Sequence, residues 1–520
     1  MSASASASAA PRPPLAGLQL VLGTIALALA TFMNVLDTSI ANVALPSIAG
    51  NLGASANQGT WVITSFGVAN AVSVPLTGWL VQRLGAVRLF VGSVLLFVLT
   101  SWLCGFAPSL EALIFFRVLQ GLVAGPMIPL SQSLLLSTYS PQRAGTALSM
   151  WAMTTLVAPV AGPLLGGWIT DNYSWPWIFY INIPVGLLAA AVAWAIYRHR
   201  ETPTRKLPID GVGLGLLVVW VGALQVILDR GKELDWFHST TIVTLAIMSV
   251  VGFVLFLVWE LTEEHPIIDL TLFKRRNFAI GTAVLSLAWL VYFGNVVLLP
   301  LWLQQYLAYT ATAAGFALAP VGVLAVLLSP LVGRILPKVD PRWLSTTSFV
   351  VFGIVLYMRS QFTPQVSEWA IMVPTFIQGA AVACLFTPLL SVIVSGLDPS
   401  RIPAATGLSN FVRITAGAFG TSITTTLWDN RATLHHAHLA EAFTFANPNA
   451  TDAARTIGSL GLDGQQTAAL LNRFVDQQAF ARAADDIFLG SALLFVALIA
   501  LVWFARPART GAVVDAGGAH

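Results

Sequence analysis

A single acidic side chain lies within the first long apolar stretch of the sequence. Asp37 is surrounded by the polar residues Asn34, Thr38, Ser39 and Asn42. A carboxylate inside a membrane is costly, so it must be protonated, paired or in contact with water. A carboxyl group whose access alternates between the two sides of a membrane can take up a proton on one side and release it on the other. Two interpretations therefore remain for Asp37: a proton-exchange site, or an acid at the wet outer end of a helix.

Two arginines also fall inside apolar stretches. Arg117 lies three residues before Gln120, and Arg413 lies in a stretch near the C-terminal end. A guanidinium group stays charged at physiological pH, so each arginine needs a carboxylate, backbone carbonyls or water. Each is either a structural anchor or a residue that couples the protonation of Asp37 to a substrate. Other residues that could line a cavity or take part in coupling are Asn34, Gln120, Trp151, Tyr292 and Asn295.

Small residues dominate one face of the apolar stretch at 151–171. Ala158, Gly162 and Gly166 are spaced four residues apart, with Gly167 beside them. In a membrane such a face lets another helix approach closely. Pro163 lacks a backbone donor and is predicted to bend the helix next to this face. The stretch is either a well-packed membrane helix or a bent helix at a moving interface between two halves of a transporter.

Composition restricts the class of protein to which these residues belong. The chain has 520 residues, of which 56% are hydrophobic and 9% are charged, whereas about a quarter of the residues in a soluble domain are charged. A soluble enzyme is excluded. The net charge of +3 comes from basic residues in short loops, which indicates membrane topology rather than nucleic-acid binding. Cys104 and Cys384 lie in separate apolar segments, so neither a disulfide nor a metal site is expected.

Fourteen apolar segments are long enough to cross the hydrocarbon region of a bilayer. They lie at 18–46, 58–81, 88–106, 110–137, 144–170, 175–197, 211–229, 239–261, 279–303, 312–333, 343–360, 369–395, 405–428 and 486–505. The sequence therefore predicts an all-α polytopic membrane protein with fourteen transmembrane helices, flanked by tails at 1–17 and 506–520. Most lysines and arginines fall on one side if both termini are cytoplasmic, which is the orientation that the positive-inside rule favours. In that arrangement the short outer loops hold only Arg230, Lys232 and Arg359.

An internal repeat divides the chain. PLTGWLVQRLG at 75–85 resembles PLVGRILPKVD at 330–340, and Gln120-Gly121 recurs 258 residues later as Gln378-Gly379. These matches predict two six-helix bundles, at 18–197 and 279–505, with two inserted helices within 198–278. Duplicated halves about a central cavity are a transporter architecture.

The repeat does not duplicate the acidic residue. At the position that corresponds to Asp37, the second half has Val291 or Tyr292. A proton-exchange site of this kind is therefore predicted in the first half alone.

An outer segment at 430–485 interrupts the second half. It holds His435, His436 and His438 and a predicted helix near 465–484. No acidic or thiol ligand stands near the histidines in the sequence, so we expect solvated side chains rather than a metal site.

The sequence also indicates the source of energy. It has no G-x-x-x-x-G-K-[ST] motif and hence no phosphate-binding loop of an ATPase. The proton gradient is the remaining source that an intramembrane acid can use, so protons are expected as the coupling ion and no cofactor is expected.

Several motifs together resemble the major facilitator superfamily, and specifically its fourteen-helix drug:proton antiporters. The motifs are LDTSIANVALP at 36–46, GWLVQRLGAVR at 78–88, FFRVLQGLVAG at 115–125, AGPLLGG at 161–167, RGKELDW at 230–236, LSNFVR at 408–413 and GTSITTT at 420–426. Within that family the chain is most similar, over nearly its whole length, to the inner-membrane subunits of bacterial tripartite efflux pumps.

The resemblance implies roles for particular residues. Gly78, Arg83 and Gly85 match the loop motif that is associated with conformational change, and the glycines at 162–167 match the antiporter motif. Two positions depart from the family pattern: Gln82 replaces the usual Asp of the loop, and Ala158 replaces a usual Gly. The first departure calls into question the charge–helix latch at that loop.

The resemblance further implies a function, a location and partners. The expected function is proton-driven export of hydrophobic, often weakly acidic drugs across the bacterial inner membrane by alternating access. The outer segment is expected to meet a periplasmic membrane-fusion adaptor, which reaches an outer-membrane channel. The sequence leaves two alternatives open, a proton-coupled uptake symporter of the same fold and, with less support, a membrane sensor or enzyme.

Overall fold

A computed structural model describes residues 15–140, 143–205, 208, 210–441 and 463–507, and every regular element in these residues is helical. The α-helices are α1 Gly17–Asn51, α2 Ala56–Gly59, α3 Trp61–Ser73, α4 Thr77–Leu84, α5 Ala86–Gly105, α6 Leu110–Ala124, α7 Met127–Thr138, α8 Ala144–Asn172, α9 Trp177–Tyr180, α10 Asn182–Tyr197, α11 Gly211–Arg230, α12 Thr240–Thr262, α13 Arg276–Tyr306, α14 Ala311–Leu318, α15 Pro320–Ile335, α16 Pro341–Arg359, α17 Glu368–Ala383, α18 Phe386–Val394, α19 Ile402–Glu441 and α20 Gly464–Val502. Short 3-10 helices lie at Val74–Leu76, Arg198–Arg200, Trp236–His238, Leu270–Lys274 and Pro399–Arg401.

Eleven helical segments in the described residues are long and apolar enough to cross a membrane. They are Gly17–Asn51, Trp61–Leu84, Ala86–Gly105, Leu110–Thr138, Trp177–Arg200, Gly211–Arg230, Thr240–Thr262, Arg276–Tyr306, Ala313–Ile335, Glu368–Val394 and Gly464–Val502. Three further long helices, α8, α16 and α19, pack among them. The prediction of an all-helical polytopic chain is confirmed.

Two helices run well beyond the apolar segments that predicted them. Helix α1 continues through Pro46 to Asn51, which is possible because neighbouring helices can satisfy backbone groups that a proline leaves free. Helix α20 begins in the outer segment, where Asp463 and Gln466 form a capping box, and runs without interruption into the last predicted span. The helix predicted near 465–484 is therefore confirmed.

The helices pack in two similar sets. Helix α1 packs on α8, α3 on α6, and α5 on α10; in the later part of the chain α13 packs on α19, α15 on α17, and α16 on α20. The order of these pairs along the chain is the one that the sequence repeat predicts. Helices α11 and α12 pack on each other, and α11 also contacts α3 and α19.

The two sets touch where α8 and α19 begin. A Cβ atom built on Gly78 of α4 would lie 2.7 Å from Cβ of Ala404 in α19. A Cβ atom built on Gly145 of α8 would lie 2.9 Å from Cδ2 of Leu336, just after α15. The absence of a side chain at these glycines therefore lets the two sets close against each other on this side of the molecule.

Candidate functional site

Helices α1 and α6 bring a buried acid and a buried base together. Asp37 Oδ2 lies 2.6 Å from Arg117 Nη1, and the exposed fractions of the two residues are 2% and 0%. Both side chains are almost completely shielded from solvent, so each charge depends on the other rather than on water. The pair is thus a charge-neutral unit in the interior of the first helix set.

Two carboxamides complete the hydrogen bonding of the acid. Asp37 Oδ1 accepts hydrogen bonds from Gln120 Nε2 at 3.2 Å and from Asn182 Nδ2 at 2.8 Å. Both amides also donate to Ser101 Oγ, at 2.9 Å in each case. The acid, the two carboxamides and the serine hydroxyl therefore form one connected hydrogen-bonded cluster.

The base keeps neutral partners besides the acid. Arg117 Nε donates to the Val62 carbonyl at 3.0 Å, and Nη1 also donates to Gln120 Oε1 at 2.7 Å. The guanidinium lies 4.2 Å from the ring centroid of Phe66, a favourable cation–π distance. Arg117 Nη2 is buried without a hydrogen-bond partner among the described residues. Arg117 is therefore held by neutral partners in addition to Asp37.

Some of the residues that the sequence predicted for this site lie in the cluster, and others lie outside it. It joins Asp37, Arg117 and Gln120 in one cluster, whereas Asn34 donates to the Ala124 carbonyl at 3.2 Å. Sequence reasoning missed Ser101 and Asn182. Asn182 is a polar residue in the apolar segment at 175–197 and could have been singled out on that ground. Ser101 carried no such signal, because serine is common in membrane helices.

A second cluster lies between the two helix sets. The Arg413 guanidinium lies 4.2 Å from the ring centroid of Trp289 and 5.4 Å from that of Phe386. The Phe386 ring is 5.4 Å from the ring of Trp151 in the first set. Arg413 Nη2 donates to Asn410 Oδ1 at 2.8 Å, and no ion pair links Arg413 to a carboxylate within the part of the chain that the structure describes. Arg413 and Trp151 thus belong to an interface cluster that is separate from Asp37.

The remaining predicted cavity residues lie inside the second set. Asn295 Nδ2 donates to Ser491 Oγ at 3.0 Å, and the half-buried Tyr292 packs edge-on against Phe352. Close to Tyr292 lies Arg359, which sequence analysis assigned to an outer loop. That assignment was wrong, because Arg359 is the last residue of α16 and is 2% exposed. A charge marks the end of an apolar segment in hydropathy, but the long side chain can turn inward to polar groups on a neighbouring helix.

The small face of α8 packs within the first helix set. Gly162 lies directly against Ser39 of α1, and a Cβ atom on Gly166 would lie 3.3 Å from the Ile40 carbonyl oxygen. Ala158 is fully buried, whereas Gly167 has no neighbouring atom within 4 Å of a built Cβ. This face therefore contacts α1, and α8 meets the other half nearer its start, at Gly145 and Trp151. Pro163 belongs to the same helix, and its side chain falls outside the described part of the structure.

The loop between α4 and α5 uses a carboxylate from elsewhere in the chain. Glu201 accepts backbone hydrogen bonds from Val87 and Arg88, both at 2.9 Å. A carboxylate at this position satisfies free N–H groups and the dipole at the start of α5. Gly85 has a φ of 89° and faces Glu201, where a Cβ would lie 2.5 Å from the carboxylate. Arg83 stacks on Trp79, with its guanidinium 5.4 Å from the ring centroid.

The outer histidines face acids that the sequence places far away. His435 Nε2 lies 2.8 Å from Asp486 Oδ2, and His436 Nε2 lies 3.4 Å from Asp476 Oδ1. The expectation that no acidic group is near them was wrong, because α20 returns alongside α19. Among the described residues, no group of three or more His, Cys, Asp or Glu side chains could hold a metal ion.

Comparisons with known proteins agree on one family. Residues 27–421 match the family model described as Major Facilitator Superfamily. The chain is 53% identical over 508 residues to the multidrug export protein EmrB of Escherichia coli (strain K12), which covers 98% of this chain and 99% of that protein. It is 51% identical over 495 residues to the fatty acid resistance protein FarB of Neisseria gonorrhoeae, which covers 95% of this chain and 98% of FarB.

A solved structure shows the same fold at much lower sequence identity. The human organic anion transporter MFSD10 (TETRAN) superposes with a TM-score of 0.57 at 13% identity, over 94% of this chain and 100% of that one. At this level of identity the likeness concerns the fold alone.

Proposed function

Because the chain belongs to the major facilitator superfamily, we propose that it exports hydrophobic drugs across the bacterial inner membrane in exchange for protons. The family makes it a transporter rather than an enzyme. The names of the relatives that are about half identical in sequence, multidrug export and fatty acid resistance proteins, support export and a hydrophobic substrate.

The observation that carries the proposal is the buried ion pair of Asp37 and Arg117 at 2.6 Å. When Asp37 is ionised, the pair is neutral and locks α1 to α6. When a proton binds, the ion pair is lost and Arg117 is left with its neutral partners. The two protonation states therefore favour different arrangements of α1, as alternating access requires.

The proton gradient is large enough for this task. At roughly 150–180 mV it supplies about 3–4 kcal/mol per proton. Since about 1.4 kcal/mol corresponds to one decade in concentration, one proton sustains a drug gradient on the order of a few hundred-fold.

We assign three further helices to the membrane: α8, α16 and α19. At about 1.5 Å per residue, even the 19 residues of α16 span close to the hydrocarbon thickness of about 30 Å. With the eleven apolar segments they make fourteen spans, arranged as two six-helix bundles and the inserted pair α11 and α12. Both termini then lie in the cytoplasm, together with the contact between Gly78 and Ala404.

The hairpin formed by the end of α19 and the start of α20 then lies in the periplasm. We propose that it binds a membrane-fusion adaptor that connects the transporter to an outer-membrane channel. The continuity of α20 from Gly464 to Val502 supports this role, because a rigid helix links the hairpin to the membrane domain.

Transport in proteoliposomes tests the proposal. With an imposed pH gradient, the purified protein should move a hydrophobic drug against the direction of proton flow, and Asp37→Asn should abolish this movement. The exposed Asp235→Asn serves as the matched control and should transport normally. Drug movement in the same direction as protons would instead identify an uptake symporter, and no flux of either would favour a sensor.

A further inference from the structure

The second helix set holds a buried arginine where the first set holds a serine. Arg359 Nη2 donates to Thr375 Oγ1 at 3.0 Å and to Gln378 Oε1 at 2.7 Å. Arg359 Nε is buried and has no hydrogen-bond partner among the described residues. Within the same residues, no carboxylate lies within ion-pair distance of this guanidinium. Arg359 is thus a buried cation with neutral partners.

The internal repeat explains where this cluster comes from. Arg359 lies 258 residues after Ser101, and Gln378 lies 258 residues after Gln120, whereas the position of Arg117 is taken by Thr375. The second set therefore carries its buried arginine on α16, the counterpart of α5, whereas the first set carries its arginine on α6. The carboxylate has disappeared, because the second set has Val291 or Tyr292 at the position of Asp37. The first cluster is neutral as a whole, and its counterpart carries one positive charge.

Other features of the fold compensate this charge only in part. Arg359 ends α16, and the C-terminus of a helix supplies about half an elementary negative charge. No aromatic face covers the guanidinium within the described part of the chain, unlike those of Arg117 and Arg413. Because an arginine cannot lose its proton in a protein and a buried charge in a membrane is costly, a negative group is needed beside it.

We propose that Arg359 binds a small inorganic anion of the size and charge of chloride, which supplies the negative charge that Asp37 supplies in the first set. Arg359 Nε and the hydroxyl of Tyr292 are the available donors, and Tyr292 lies close enough to Arg359 for the two to interact electrostatically. A carboxylate would satisfy the same donors. The burial of Arg359 and Thr375, which are 2% and 1% exposed, favours a free ion over a carboxylate attached to a larger molecule. This site does not depend on the direction of transport.

Thermal unfolding of the full-length protein in detergent tests the site. Chloride would replace isethionate at constant ionic strength, and the unfolding midpoint would be followed by fluorescence. A ligand that binds only the folded state multiplies the ratio of folded to unfolded protein by 1 + [L]/Kd. For a Kd of about 10 mM, this factor is about 11 at 100 mM chloride. The midpoint of the wild type and of the exposed control Arg334→Gln should rise with chloride, and that of Arg359→Gln should not.

Two further measurements on the wild type test the site without relying on the folding of Arg359→Gln. In the wild type, bromide should give an anomalous scattering peak beside Arg359 in crystals grown with this ion. Acetate in place of chloride should stabilise the wild type less than chloride does. An equal rise in Arg359→Gln, or no bromide peak at Arg359, would show that the arginine needs no anion. A stronger response to acetate would show that the site takes carboxylates, contrary to our proposal.

Discussion

Gly162 of α8 lies directly against Ser39 of α1, so that a Cβ atom at this glycine would overlap the serine side chain. Ser39 is two residues from Asp37, so the two side chains point to different sides of α1, Ser39 toward α8 and Asp37 toward α6. Gly167 in the same helix has open space around it, with no atom within 4 Å of a built Cβ. The two glycines therefore offer a matched pair for testing what the close contact contributes.

We expect Gly162→Leu to abolish drug transport while the protein remains in the membrane. A leucine would force α8 away from α1, and overpacking of this kind typically costs about 1–3 kcal/mol. Gly167→Leu should keep transport near the wild-type rate. Efflux of a fluorescent drug from cells, normalised to the amount of membrane-inserted protein, measures both. Normal transport by Gly162→Leu would mean that the two helices separate without consequence.

A second prediction concerns the ion pair of Asp37 and Arg117. Removing one partner of a buried pair leaves an uncompensated charge, which costs about 3–5 kcal/mol. Asp37→Asn and Arg117→Gln should each lower the thermal stability of the protein. The double variant should be more stable than the sum of the two single effects predicts, because both charges are gone. A double-mutant cycle of unfolding midpoints in detergent measures this coupling.

Transport should respond differently from stability in the same variants. The double variant has no ionisable group at this position, so it should still fail to couple drug movement to protons. If the double variant transported drug against its gradient, the pair would have a structural role only.

The sequence predicted the groups whose charge conflicts with their surroundings. Asp37 and Arg117 stood out because each interrupts an apolar stretch, and the same contrast located most of the helices. Ser101 and Asn182 were not predicted as site residues, because a neutral polar side chain costs little free energy in a membrane helix and so does not stand out. Their role depends on the packing of α5 and α10 around α1, which the pattern of one helix does not contain.

Arg359 was misassigned, and the acidic neighbours of the histidines were missed, for a different physical reason. Hydropathy treats a charge as the end of a membrane segment, whereas the arginine side chain reaches back to Thr375 and Gln378 on the neighbouring helix. His435 and Asp486 are 51 residues apart, and only the antiparallel packing of α19 and α20 brings them together. Contacts between distant segments of this kind are not encoded in local periodicity.

A third prediction concerns the outer loop between α11 and α12. Lys232 Nζ lies 2.7 Å from Asp429 Oδ2 of α19, and the two side chains are 46% and 41% exposed. Arg230, the last residue of α11 just before this loop, lies over Trp61, 5.4 Å from its ring centroid. The end of α11 and the loop that follows it thus contact both helix sets. Exposed ion pairs contribute about 0–1 kcal/mol, so Lys232→Ala should change the rate of drug transport by less than about fivefold.

The charge-swapped pair Lys232→Asp with Asp429→Lys provides the control for this prediction. It should transport at least as well as the variant that carries Lys232→Asp alone, because the swap restores the attraction. Transport rates in proteoliposomes at low and high salt compare the three proteins. A loss as complete as that of Asp37→Asn would show that the loop controls transport, which its exposure argues against.

The last prediction separates transport from delivery to an adaptor. Trp428 Nε1 donates to the Phe480 carbonyl at 3.0 Å, and Gln477 Nε2 donates to the Tyr306 carbonyl at 2.8 Å. These bonds anchor the base of the outer hairpin, so residues 439–471 can be removed without disturbing it. His436 Nε2 lies 3.0 Å from Asn472 Oδ1, so the two helices run side by side there. A flexible linker of about six residues, which reaches roughly 12–15 Å, can therefore join them.

In proteoliposomes the shortened protein should exchange drug for protons at close to the full-length rate, because the membrane helices and the pair of Asp37 and Arg117 are unchanged. In cells, drug resistance and cross-linking to the adaptor should both fall, since substrate would no longer pass into the adaptor. The control is the full-length chain with the same linker inserted after Glu441, which should retain more cross-linking than the deletion. If the shortened protein keeps both resistance and cross-linking, the adaptor binds at the base of the hairpin or on the short outer loops. The proposed role of residues 439–471 would then be wrong, while the transport mechanism would stand.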